Sequence, residues 1–242
     1  MMDLVGQVAI ITGAGRGIGR AIALTFARVG ADVVLVSRTG TELETVAAEV
    51  RQLGRQALPL VADVSVEDDV EQVVVQVIDT FKRVDILVNN AGIDAPTPFV
   101  DTTPEEWTRV MGINFVGVLH FSRSVLPHMV KQRSGKIINI SSGAGTRGHP
   151  NSAIYAASKA AVNAFSQSLA DEVKGNGVQV NVISPGPIRT QMTADPSYQS
   201  DRPRPAHLLE PDEVANAALY LASDLSGRVN AQIMYVRESN RW

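Results

Sequence analysis

The sequence predicts a single doubly wound α/β domain spanning residues 1–242, with a mostly parallel seven-stranded sheet covered by helices on both faces. Three observations predict it. Short β-branched apolar runs alternate with longer amphipathic stretches from Gln7 to Val236, the order that builds a parallel sheet through crossover helices. The runs are apolar throughout and do not alternate with polar residues, as expected of strands buried on both sides. The 242 residues suffice for one substantial core, with no internal repeat, low-complexity tract or second block of elements.

The elements follow in order. Gln7–Thr12 is an apolar strand running into glycines, and Gly17–Gly30 is a helix with Ile18, Ile22 and Phe26 on one face. Asp32–Ser37 is a β-branched strand. Glu42–Gly54 is an amphipathic helix closed by glycine, followed by the strand Gln56–Val61. Glu67–Phe81 is a helix whose Asp68 and Asp69 suit the positive end of the dipole. Val84–Val88 is a strand. Thr103-Pro104 is an N-cap with proline at the first helical position, and that helical pattern runs on toward Met129. The strand Lys136–Ser141, the alanine-rich helix Ala153–Lys174, the strand Val178–Ser184, the helix Pro211–Ala222 and the strand Ala231–Val236 complete the pattern. The least regular stretch, Gln191–Leu208, contains Pro196, Pro203 and Pro205. Its prolines disfavour helix, and regular elements resume after it, so it reads as a lid loop over a site.

Composition excludes several function classes. A net charge of −3 and a pI near 5.8 give no electrostatic footprint for nucleic acid. Cysteine is absent, so there is neither a disulfide nor a thiolate metal site, and the four histidines form no metal-ligand spacing. No apolar run approaches the length of a membrane span. The N-terminus reads as a strand entering a turn and not as a signal peptide, so a cytoplasmic protein is expected.

The chemistry concentrates at Tyr155 and Lys159, four apart and hence on one helix face, with Ser142 thirteen residues upstream. A phenol is a poor base at neutral pH, and an adjacent ammonium favours its phenolate. Ser142 could hydrogen-bond the oxygen that Tyr155 protonates. The three together suit proton transfer for a carbonyl/alcohol pair. Upstream, Thr12-Gly13-Ala-Gly15-Arg16-Gly17-Ile18-Gly19 joins the first strand to the first helix. Such a turn lets backbone approach a pyrophosphate at a helix N-terminus, as in Rossmann-type dinucleotide folds. The strict G-x-G-x-x-G spacing is not met, whereas T-G-x-x-x-G-x-G is. The second strand ends Val36-Ser37-Arg38 without an acid. With Arg16 in the turn, that favours a 2′-phosphate, hence NADP(H), with NAD(H) as the alternative.

These pieces, in this order, resemble the short-chain dehydrogenase/reductase family over residues 6–236. The match is carried by TGAGRGIG at 12–19, Asp63-Val64, Asn89-Asn-Ala91-Gly92, Asn114, Ser142, Tyr155-x-x-x-Lys159, and Pro185-Gly186 with Thr190. The resemblance implies that Tyr155 is the general acid/base and that Lys159 holds the nicotinamide ribose and tunes Tyr155. It implies that Ser142 polarises the carbonyl and that Asn114 holds a water of a proton relay. It further implies that Asp63 and Val64 meet the adenine, and that Asn89, Ala91 and Gly92 pass along its ribose. Asn89 could equally tie the central strands together. Pro185, Gly186, Ile188 and Thr190 would hold the carboxamide.

The expected substrate is a small ketone or aldehyde and its alcohol. A 3-oxoacyl-[acyl-carrier-protein] reductase, an NAD-linked sugar or polyol dehydrogenase, and a non-catalytic dinucleotide sensor are the alternatives. Acyl carrier protein as a partner is supported by Arg133 and weakened by Asn176, where a second base is expected. The alanine-rich helix, apolar on several faces, implies a homo-oligomer, dimer or tetramer. The tail from Val229 lacks the Asp-Gly-Gly that often follows the last strand in the family.

Overall fold

A computed structural model of the protein describes residues 2–194 and 208–238. One sheet runs through them, in the order β3-β2-β1-β4-β5-β6-β7. The strands are β1 (Val8–Thr12), β2 (Asp32–Ser37), β3 (Ala57–Val61), β4 (Ile86–Asn89), β5 (Gly135–Ile140), β6 (Val178–Pro185) and β7 (Ile233–Val236). Every neighbouring pair is parallel. The helices are α1 (Gly17–Arg28), α2 (Gly40–Gln52), α3 (Glu67–Phe81), α4 (Pro104–Met111), α5 (Gly117–Gln132), α6 (Ala153–Val173), α7 (Gln191–Ala194) and α8 (Pro211–Ala222). The chain builds outward from β1 to β3, then returns to place β4 on the other side of β1. That reversal opens a crevice above the carboxyl ends of β1 and β4, where doubly wound sheets bind ligands.

Two apolar layers sandwich the sheet. Ala9 and Ile11 of β1 face a layer containing Ile22 and Phe26 of α1 and Val214 and Ala218 of α8. Val8 and Ile10 face the opposite layer, with Val70, Val73 and Val77 of α3 and Phe121 and Val125 of α5. Phe26 and Phe121 are wholly buried, which stabilises the fold by roughly 2–3 kcal/mol each.

The expected elements all form, with ends shifted by one or two residues in several, and three differences stand out. The helix expected to run from Pro104 toward Met129 is interrupted by a π turn, Gly112–Val116, closed by the Gly117 N–H on the Gly112 carbonyl. A Cβ on Gly117 would lie 2.7 Å from Val64 Cγ2, so glycine there lets α5 pack directly on the segment after β3. The stretch expected to be loop from Gln191 begins with one helical turn, α7. Thr193 secures it, donating to the Ile188 carbonyl at 2.7 Å and accepting from the Thr190 N–H at 3.0 Å. The lid itself, 195–207, lies outside the described residues. Finally, β7 begins at Ile233 and not at Ala231. Ahead of it side chains supplement two backbone bonds to β6: Asn230 accepts from the Val180 N–H and Asn181 from the Gln232 N–H.

Candidate active site

The crevice is floored by backbone. Thr12, at the end of β1, accepts through Oγ1 from the N–H groups of Asn90 (2.9 Å) and Ala91 (3.0 Å). Asn90 returns the favour, donating through Nδ2 to the carbonyls of Thr12 (2.9 Å) and Gly13 (3.2 Å). These four bonds tie the loops after β1 and β4 together across the switch point. Gly13 has φ +64°, and a Cβ on Gly19 would lie 2.2 Å from the Gly13 carbonyl oxygen, so no side chain fits the inside of this turn. A Cβ on Gly17 would lie 3.3 Å from Thr190 Cγ2, which brings the segment after β6 against the start of α1. Arg16, the N-cap of α1, makes no side-chain capping bond, and the first turn carries no acid. The leading N–H groups and the positive helix end therefore suit an anion such as a pyrophosphate, and the cradle fits a dinucleotide.

The outer end of the crevice carries charge. Arg16 Nη1 lies 3.1 Å from Glu42 Oε1, and Arg38 Nη1 lies 3.7 Å from Asp63 Oδ2. The acid that β2 lacks at its own end is thus delivered by the first turn of α2, which corrects the expectation that no carboxylate stands here. Asp63 also accepts from the Ser65 N–H (2.9 Å) and hydroxyl (2.6 Å). Burial alone would raise its carboxyl pKa; the Ser65 bonds and the Arg38 charge outweigh burial and hold it below the usual value.

Of the two alternatives at Asn89, its side chain takes the structural one. It is buried and donates to Asn139 Oδ1 of β5 at 2.8 Å and to Ser122 Oγ of α5 at 3.4 Å. Asn139 in turn donates to Ser166 of α6. The side chain is thus engaged in the strand packing.

Above β4, β5 and β6 the polar side chains converge. Asn114, wholly buried in the π turn, clamps the loop after β4: Oδ1 accepts from the Ile93 N–H at 2.8 Å and Nδ2 donates to the Ile93 carbonyl at 2.8 Å. Nδ2 also donates to Ser158 Oγ at 3.1 Å, and Ser158 to the Tyr155 carbonyl at 2.7 Å. Lys159 is only 4% exposed; its Nζ donates to the Ile140 carbonyl at 2.9 Å and lies 5.8 Å from the Tyr155 ring centre. A Cβ on Gly92 would lie 3.3 Å from that Nζ and 3.4 Å from Asn114 Oδ1, so Gly92 is where the two side chains meet. Burial lowers the Lys159 pKa to about 8, against the opposing pull of Asp94. Ser142 caps the short turn after β5, accepting from the Ala144 N–H at 3.2 Å, which leaves its hydroxyl proton for another acceptor.

The segment after β6 closes the far wall. The Gly186 N–H donates to the Val236 carbonyl, buried Ile188 forms a parallel bridge with Leu209, and the Arg189 N–H donates to the Leu209 carbonyl. The excursion through 191–208 therefore leaves and rejoins the fold at a hydrogen-bonded neck. A pocket beside Tyr155 is lined by Ala95, Trp107, Val110 and Ile154.

The sequence matches the family model for short chain dehydrogenases over residues 7–201. The chain belongs to the short-chain dehydrogenase family. Members are oxidoreductases that interconvert CH–OH and carbonyl groups with NAD(P). The chain is 37% identical to the 3-oxoacyl-[acyl-carrier-protein] reductase of Thermotoga maritima over 96% of its length and 97% of the relative. It is 41% identical to the Synechocystis enzyme of the same name, over 93% and 92% of the two chains. Among solved structures, levodione reductase superposes with a TM-score of 0.91 at 34% identity, covering 96% of each chain. A structure named as an NAD(P)-dependent gluconate 5-dehydrogenase from Beutenbergia cavernae, holding NADP at low occupancy, has a TM-score of 0.90 at 37% identity. It covers 98% of this chain and 97% of that one.

In this short-chain dehydrogenase the fold thus gathers Asn114, Tyr155, Lys159 and Gly92 tightly, and ranges the glycine turn, Ser37, Arg38, Asp63 and Thr190 along the same crevice. Four contributors lack a local sequence signal of their function: Asn90, Glu42, Ser158 and Asp94. Asn90 stands inside the Asn-Asn-Ala-Gly motif, and only the Thr12 contacts separate its role from that of Asn89. Among the described residues no group of three potential metal ligands gathers, and no helix is long and apolar enough to cross a membrane.

Proposed function

We propose that this protein is an NADP(H)-preferring carbonyl reductase in which Tyr155 is the general acid/base. The observation that carries the reading is the buried Lys159 ammonium beside the Tyr155 ring. With a pKa of about 8, Lys159 is largely charged at neutral pH, and in a dry site that charge stabilises a phenolate strongly. Ser142, which accepts from the Ala144 N–H, donates its own proton to the substrate oxygen and orients it. A dinucleotide held by the glycine turn and by Lys159 would supply the hydride for the carbonyl carbon. Tyr155 donates its proton to the same oxygen in reduction and withdraws it in oxidation, and Lys159 offsets the phenolate left behind. Both polar side-chain atoms of Asn114 are engaged, so its contribution is to fix Ile93 and Gly92 beside Lys159.

The glycine turn would hold the pyrophosphate, Asp63 and Val64 the adenine, Ala91 and Gly92 the adenosine side, and Pro185, Gly186, Ile188 and Thr190 the carboxamide. Arg16 and Arg38, both largely exposed, would turn to a 2′-phosphate; NAD(H) is the lesser cofactor. The chain acts as one cytoplasmic catalytic unit with 191–208 as its lid. It would assemble as a dimer or tetramer through α6, whose Ala157, Ala160 and Ala164 are exposed in the single subunit.

A second reading, 3-oxoacyl-[acyl-carrier-protein] reduction, is favoured by the names of the relatives above. Against it, Arg133 and Asn176 sit before β5 and β6, at the amino ends of those strands and not at the carboxyl ends where the crevice lies, and only one is basic. Steady-state assays with NADPH test both. Reduction of small ketones that is lost in Tyr155→Phe supports the primary reading. A large preference for acetoacetyl carrier protein over the small ketones supports the second.

A further inference from the structure

We infer that Glu42 is a cofactor-selectivity residue: a built-in carboxylate that competes with a 2′-phosphate for the Arg16 guanidinium. The inference rests on the proposed reading of the glycine turn as a dinucleotide cradle and deepens it. The first turn of α2 lies over the crevice, so Glu42 reaches back to the turn between β1 and α1. Its Oε1 is 3.1 Å from Arg16 Nη1. A Cβ on Gly15 would lie 2.8 Å from Glu42 Oε2, 2.9 Å from Glu42 Cβ and 3.5 Å from Ser37 Oγ. Gly15, Ser37 and Glu42 therefore close around one small volume, with Arg16 bonded across it.

Two adenosines would meet this volume differently. A ribose 2′-hydroxyl is a donor, and a carboxylate accepts from it. A 2′-phosphate is a dianion that must draw Arg16 away from Glu42 and then sit beside an unpaired carboxylate. Arg38 offers no compensation at the start, because it too has a carboxylate neighbour, Asp63 at 3.7 Å. Selectivity is thus a contest over one guanidinium, and Glu42 narrows the advantage that the two arginines give NADP(H).

The test uses adenosine 2′,5′-bisphosphate and 5′-AMP, which isolate the 2′-phosphate without catalysis. Calorimetric titrations are run on wild type, Glu42→Gln, Arg16→Gln and the double variant. Glu42→Gln is expected to tighten the bisphosphate about tenfold, the size of one freed charge-assisted hydrogen bond. It should weaken 5′-AMP by a few-fold, because the 2′-hydroxyl loses its carboxylate acceptor, and the bisphosphate gain should vanish in the Arg16→Gln background. Unchanged bisphosphate binding in Glu42→Gln overturns the inference while leaving the NADP(H) reading intact. A gain that persists without Arg16 overturns it as well, since general charge relief would then explain it. Failure of every variant to bind the bisphosphate, with 5′-AMP still bound, removes both the inference and the NADP(H) reading.

Discussion

The two halves of the crevice are built by opposite means. Around β1 and β2 the recognition surface is backbone: glycines whose Cβ positions are filled by other atoms, and leading N–H groups of α1. The charges there, Arg16 and Arg38, are solvent-exposed and paired across the surface. Around β4, β5 and β6 the surface is side chain: Asn114 from a π turn, Ser142 from a short turn, Tyr155 and Lys159 from α6, with Lys159 and Asn114 buried. A backbone cradle tolerates no added atoms. A buried side-chain site tolerates neither a lost proton nor an uncompensated charge. The glycine turn of the first half should therefore fail by steric overpacking, and the second half by electrostatics.

The largest effect expected from this contrast is on catalysis alone. Tyr155→Phe should lower kcat by about 10³-fold or more while NADPH affinity stays within a factor of about two. If affinity collapses with kcat, the two halves are not separable. Next comes pH-dependent stability. The folded pKa of Lys159, about 8, lies below its ordinary 10.5, so between those values the unfolded chain binds the extra proton. Stability contributed at this site therefore rises as pH climbs through that window. Relative to Lys159→Met, wild type should gain about 3 kcal/mol between pH 7 and pH 11, measured by denaturant unfolding at each pH. A flat difference would mean that the buried ammonium is not desolvated.

Gly19→Ala probes the backbone half. Its Cβ would meet the Gly13 carbonyl at 2.2 Å, and the forced shift should cost roughly 2–3 kcal/mol of stability. Dinucleotide binding, followed by protein fluorescence quenching, should weaken while the pH profile of any residual activity keeps its shape. A changed pH profile would show that the halves are coupled through the Thr12–Asn90 bonds. The smallest effect is at Asp94, whose charge props up the Lys159 pKa. Asp94→Asn should move the alkaline limb of the kcat/KM profile to lower pH and leave dinucleotide affinity unchanged; an upward move would reverse the assigned sign.

Sequence alone determined the alternation of strand and helix, the parallel sheet, the glycine turn and the Tyr155–Lys159 pair. Each of these is a local property: a hydrophobic period, a backbone conformation only glycine adopts easily, or a spacing that one helix converts into a shared face. Tertiary structure decided the rest. Asn89 and Asn90 are adjacent and chemically identical, yet one ties β4 to β5 and the other ties β4 to the glycine turn, because successive residues at a strand end face different neighbours. The π turn that buries Asn114 ends at the close approach of Gly117 to Val64, a contact between elements over fifty residues apart. Glu42 reads as an ordinary first-turn helix acid until α2 folds back and sets it against Arg16, twenty-six positions away. Charge pairing of this kind depends on how helices cross the sheet, and a linear pattern carries no record of that crossing.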